Sequence, residues 1–247
     1  MLLCHTVAAG EVMVAVATNF APVMEHLEAE FESVSGHRLT AVLGSSGKLA
    51  AQIRHGAPFD VLLSADRVRP ERLAADGFGV SGSRFVYARG SLVLWRPAAA
   101  FADGDGAAYL RSKEYDALAI ANPDLAPYGF AARQVLERLG LWTSVQDRVA
   151  RAENIGQAFA MVASGAAQAG LLAEALVVSR PGGIWRIPAA LHDPIDQEAL
   201  LTRHGAGNPA AVEFLRFLRS DAAIGIIRAG GYQTVPDQTP TPSHGSD

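Results

Sequence analysis

The chain has 247 residues, 49% of them hydrophobic, with 21 Lys and Arg against 25 Asp and Glu and a formal net charge of −4. That length and apolar content can build a full core, as one large domain or two small ones. No basic run or aromatic–basic stripe is present to track nucleic acid, and no window approaches the ~20 apolar residues of a membrane span.

The first segment, MLLCHTVAAGE, is apolar and ends in small residues but has no basic n-region, so residues 1–10 are expected to be a truncated export signal. Its Cys4 is the single cysteine, which excludes an internal disulfide framework and a cysteine-rich metal site. Residues 12–17, VMVAVA, form a continuous apolar run, as in a strand buried on both faces. Asn19 suits the N-cap of a helix in which Phe20, Val23, Met24, Leu27, Phe31 and Val34 recur at helical spacing. A strand at 39–43 leads through a glycine turn to a helix marked by Leu49 and Ile53. A third strand, 61–63, runs through Ser64-Ala65-Asp66 to a helix ending near Gly77. Strands at 85–88 and 92–95 are broken by Gly90. The pattern then restarts with a strand at 118–121, helices at 129–139 and 155–164, and a strand at 169–172. An apolar stretch at 199–201 precedes helices at 209–218 and 221–229. The end, QTVPDQTPTPSHGSD, is rich in Pro, Ser and Thr and predicts a disordered tail over 236–247.

Strands alternating with helices predict parallel α/β layers, in which ligands sit outside the carboxyl ends of the strands. Four strand ends carry small polar residues before a helix start: Thr18-Asn19, Gly44-Ser45-Ser46-Gly47, Asn122 to Gly129, and Asn154-Ile155-Gly156. Any one of these is an ordinary capping sequence. Together they would form a neutral nest for an anion, because helix N-termini present unpaired N–H groups and a positive dipole end. No carboxylate pair or histidine cluster sits at the turns, which argues against hydrolysis and against a bound metal cation. His5, His26, His37, His55, His192, His204 and His244 are scattered without ligand spacing.

The glycine turn fails two sharper readings. A P-loop would need glycine where Val42 stands and a hydroxyl where Leu49 stands. Ser45 and Lys48 have the S-x-x-K spacing of penicillin-recognising acyl-transfer enzymes, but the S-D-N and K-T-G of that family do not occur. Lys48 is expected to face solvent on its helix.

The stretches VAVATNFAPVMEHLEAEF, GSSGKLAAQIRHGAPFDVLLSAD, ANPDLAPYGFAARQVLERLGLW and ENIGQAFAMVASGAAQAGLL resemble the periplasmic molybdate-binding proteins of bacterial molybdate ABC transporters, in that family's order and spacing. The resemblance implies an α/β, two-lobed type II periplasmic-binding-protein fold with the ligand cleft between the lobes. Lobe one would be 11–88 plus 196–235 and lobe two 89–195, with hinges near Ala88-Arg89 and Pro194-Ile195. It implies molybdate or tungstate as ligand, no catalytic residue, no metal cation and no cofactor, a membrane permease as partner, a periplasmic location and a monomer. The ligand residues would be Thr18 and Asn19 in the first turn, the Ser46 hydroxyl in the second, Tyr128, and the backbone N–H of Ile155. Tyr128 occupies a position where other members offer a backbone N–H, and some members place a tyrosine hydroxyl where this chain has Ala173, so Tyr128 would contribute either its phenol in place of that hydroxyl or only its backbone N–H. Sulfate and phosphate remain as alternative ligands, and acyl transfer by Ser45 and Lys48 as a distant one.

Overall fold

A computed structural model describes residues 9–97, 100–101 and 105–234. The tail expected at 236–247 and residues 1–8 of the expected export signal lie outside the described residues. The chain forms two five-stranded sheets, each with helices packed on it. The first has the order β2-β1-β3-β10-β4, built from β1 (Glu11–Ala17), β2 (Arg38–Gly44), β3 (Val61–Ser64), β4 (Phe85–Gly90) and β10 (Ile195–Leu201). In it β1 pairs parallel with β2 and β3, and β10 runs antiparallel between β3 and β4. The second has the order β7-β6-β8-β5-β9, from β5 (Leu92–Arg96), β6 (Leu118–Ala121), β7 (Val149–Ala152), β8 (Ala169–Ala173) and β9 (Gly183–Arg186). Its β6 is parallel to β7 and β8, and its β5 antiparallel to β8 and β9.

The apolar run of β1 is central because both its faces are covered. Val14 and Val16 pack with Phe20 of the turn before α1 (Ala21–Ser35) and with Phe31 of α1, Phe214 of α8 (Pro209–Phe217) and Ile227 of α9 (Asp221–Ala229). Ala15, on the other face, packs with Leu49 and Ile53 of α2 (Ser46–Arg54) and Leu73 of α3 (Val68–Ala75). The second lobe has one continuous core, to which α5 (Pro127–Arg138) and α7 (Ile155–Ala163) contribute Ala132, Val135, Leu136, Ala158 and Val162. Two shorter helices, α4 (Gly106–Ser112) and α6 (Trp142–Val145), complete this lobe.

The chain crosses between sheets twice, from β4 to β5 through Ser91 and from β9 back to β10. The outgoing and returning strands are antiparallel neighbours, with Ile195 opposite Gly90. Near the C-terminal end, Gln233 exchanges backbone hydrogen bonds with Arg89 at 2.7 and 3.0 Å, so this segment returns to the crossover.

Several elements depart from expectation. Asn19 is not an N-cap: it lies in a 3-10 turn, Thr18–Phe20, and α1 begins at Ala21 without a side-chain cap. Val34, read as part of the α1 apolar stripe, is 64% exposed. β4 runs through Gly90, and the break falls at Ser91. β10 begins four residues before the apolar stretch that marked it, because its polar Gln197 and Glu198 are buried against specific partners.

Candidate ligand-binding cleft

The turns after β1, β2, β3, β6 and β7 all point into the space between the two lobes, at the carboxyl ends of parallel strands. A small cavity lies where they meet, bordered by Thr18, Asn19 and Ser46 from one lobe and by Tyr128 and Ile155 from the other. Gly44, Ser45, Ala65, Ala126 and Pro127 contribute most of the remaining wall, and every lining residue is uncharged.

Each turn exposes a helix start. Ser45 caps α2, its Oγ accepting from the Lys48 N–H at 3.4 Å. Asn154 caps α7, its Oδ1 accepting from the Gln157 N–H at 2.9 Å. α5 has no side-chain cap and begins with Pro127, which lacks the N–H that a first helical position leaves unpaired. Ser46, Tyr128 and Ile155 therefore stand in first turns, where the helix supplies no carbonyl for their N–H groups.

The side chains at these positions do different things. Ser46 Oγ accepts the Ala65 N–H at 3.0 Å, so its own proton is free to donate into the cavity. Thr18 Oγ1 lies 3.3 Å from Asn154 Oδ1, to which it donates, and accepts the Gly156 N–H at 3.3 Å, both across the cleft. The Asn19 Nδ2 is taken up by residues outside the cavity lining: it donates to Gln197 Oε1 at 2.8 Å and to Tyr232 Oη at 3.0 Å. The Tyr128 phenol likewise turns inward and accepts from Gln197 Nε2 at 3.3 Å. That contact sets the phenol against Gln197, which does not border the cavity, and of the two alternatives for Tyr128 it favours the backbone N–H. Burial pushes the hydroxyls of Tyr87, Tyr128 and Tyr232 up from the usual phenol range, so all three stay protonated at neutral pH.

Sequence reasoning missed Gln197, Tyr87 and Tyr232. The available signal was the polar triplet Asp196-Gln197-Glu198, which interrupts an otherwise apolar strand.

Three further contacts close the lobes over the cavity. The Gly47 N–H donates to Leu125 O at 2.9 Å, Arg69 Nη2 donates to Asp124 O at 3.1 Å, and Lys48 Nζ meets Glu153 Oε1 at 2.7 Å. Lys48 thus sits at the rim, half-exposed and paired across the cleft, rather than beside Ser45 as an acyl-transfer base would. A broader groove next to the cavity carries Arg54, Arg67, Arg69 and Arg72. Three of these are already paired, with Asp76, Glu198 and Asp66 respectively, so the groove lacks a cluster of free cations for an anion.

The cleft can hold a compact anion by hydrogen bonding alone. Charge-assisted bonds from neutral donors are strong, and fixed N–H dipoles avoid burying a full counter-charge.

The sequence matches the family described as bacterial extracellular solute-binding protein over residues 12–233. It is 41% identical to the molybdate-binding protein ModA of Rhodobacter capsulatus, across 95% of this chain and 92% of that one. It is 40% identical to the molybdate-binding protein ModA of Azotobacter vinelandii, across 94% and 93%. The solved periplasmic molybdate-binding protein of Azotobacter vinelandii superposes with a TM-score of 0.86 at 39% identity, covering 91% of this chain and all of that one.

Proposed function

This chain belongs to the bacterial extracellular solute-binding proteins, alongside their molybdate-binding members, and on that premise we propose that it captures molybdate or tungstate for an ABC importer. It works in the periplasm as a monomer and hands its anion to a membrane permease. Residues 11–88 plus 196–235 and residues 89–195 act as the two jaws of a clamp. Thr18, Asn19 and Ser46 hold the anion from one jaw, and the Tyr128 and Ile155 N–H groups hold it from the other. Binding favours closure because the anion makes its full contacts only when both jaws surround it.

The observation that carries this reading is the uncharged lining at five converging turns. A phosphate that keeps a proton would need an acceptor such as a carboxylate, and none lines the cavity. Sulfate presents the same charge on a smaller tetrahedron, so cavity size discriminates against it.

Thermal melting tests the proposal. Molybdate at a hundred times its dissociation constant stabilises the native state by about 2.7 kcal/mol. For a chain of this size the expected rise in Tm is on the order of 5–10 °C. EDTA should leave that rise intact, and sulfate at the same concentration should produce little of it. No rise with molybdate, or a rise abolished by EDTA, would overturn the reading.

Lys48→Ala is expected to change affinity only slightly, because an exposed ion pair contributes roughly 0.2–1 kcal/mol. The small loss, at most about fivefold, should fade as salt is raised. A larger loss that persists in high salt would place the ammonium on the anion.

A further inference from the structure

We infer that Gln197, which does not border the cavity, is a positioning residue that ties the two jaws of the cleft to the crossover strand. The inference rests on the oxyanion-binding reading above. Gln197 is fully buried on β10, the strand that carries the chain back between the lobes. Its Oε1 accepts from Asn19 Nδ2 at 2.8 Å and from Tyr87 Oη at 3.1 Å. Its Nε2 donates to Tyr128 Oη at 3.3 Å. A single amide therefore holds one cleft residue from each lobe.

The partners of this amide are themselves fixed. Asn19 Nδ2 also donates to Tyr232 Oη at 3.0 Å, and that hydroxyl donates back to the Asn19 carbonyl at 2.7 Å. The backbone of Asn19, a residue that borders the cavity, is thus anchored at its carbonyl. On the other side, the Tyr128 phenol enters a slot left open by Gly90 on β4. A Cβ at Gly90 would stand 1.9 Å from Tyr128 Oη and 2.9 Å from Gln197 Nε2. Gly90 is not among the positive-φ glycines, so the slot, and not backbone strain, explains the absence of a side chain there. The phenol thus joins the first turn of α5, where the Tyr128 N–H stands, to the paired crossover strands, and the contact holds that N–H in place.

The expected signature is a reversal of sign between backgrounds. Tyr128→Phe removes only the hydroxyl held by Gln197 and should weaken molybdate binding about two- to tenfold, the worth of one buried hydrogen bond. Gly90→Ala should weaken it by about tenfold or more by filling the slot. Adding Tyr128→Phe to Gly90→Ala should recover part of that loss, since it deletes the nearest of the atoms the new methyl strikes, the Tyr128 Cζ and Gln197 Nε2 at 2.9 Å remaining. Calorimetric titration with molybdate reads each affinity, and melting of the anion-free proteins shows whether they are folded. Should Gly90→Ala fail to fold, Gln197→Leu, Tyr128→Phe and their combination decide. A shared contact makes the combined loss smaller than the product of the single losses. Wild-type affinity in Gly90→Ala, or independent losses in the double variant, would overturn the inference. Failure of the wild-type protein to bind molybdate would instead overturn the functional reading beneath it.

Discussion

Ser46→Ala is expected to weaken molybdate binding by about ten- to a hundredfold while leaving the fold intact. The hydroxyl is one of the few side-chain donors bordering the cavity, and its lone pair is already engaged by the Ala65 N–H at 3.0 Å. That engagement leaves the hydroxyl proton for the anion. A hydrogen bond to a charged partner contributes roughly 1.5–3 kcal/mol, the stated range in affinity. Part of the loss comes from the Ala65 N–H, which loses its acceptor in a buried place. Titration of Ser46→Ala beside Lys48→Ala separates the neutral-donor account from a cationic one. The former requires Ser46→Ala to be the more damaging, and the reverse order would contradict it.

Gly47→Val should block closure without disturbing the open protein. A Cβ at Gly47 would lie 2.9 Å from the Leu125 carbonyl oxygen and 3.2 Å from its Cα, both backbone atoms of the opposing lobe. Neither can yield by a rotamer change, so the lobes must part, and the Gly47 N–H to Leu125 O bond is lost with them. Overpacking of this kind costs about 1–3 kcal/mol, or roughly five- to a hundredfold in affinity. The anion-free protein should melt at the wild-type temperature, because the clash exists only in the closed form. X-ray scattering should show the wild type shrinking slightly on adding molybdate and the variant shrinking less. A variant that binds and contracts like the wild type would mean the lobes do not close at this seam.

Much of this layout is legible in the sequence, for a physical reason. Strands buried on both faces, such as 12–17 and 118–121, need unbroken apolar runs, and the helices after them need apolar residues every three to four positions. The turns between them need hydroxyl or amide caps, and Ser45 and Asn154 are such caps. The illegible parts depend on distant partners. Asn19 has the residue type and place of an N-cap, yet its amide partners lie 178 and 213 residues away. No local pattern distinguishes those two uses of an asparagine. Gln197 and Glu198 hide the start of β10 in the same way, since burial of polar side chains depends on bonds made across the fold. β7 and β9 leave no unbroken apolar run, because edge strands of the second sheet are only partly buried and carry Arg151 and Arg186 at exposed positions. The hydroxyl chemistry of Tyr128 suits an anion, so residue type alone makes its phenol a candidate donor. The slot at Gly90 that draws it inward is visible only in three dimensions.

Calorimetric titration of the unaltered protein with molybdate, tungstate, sulfate and phosphate tests the central claim most directly. A cleft of neutral donors that selects by size should bind one molybdate or one tungstate per chain with similar affinity. It should bind sulfate much more weakly, and phosphate weakly for want of an acceptor. Sulfate binding as tight as molybdate, or no heat with molybdate at all, would contradict the account.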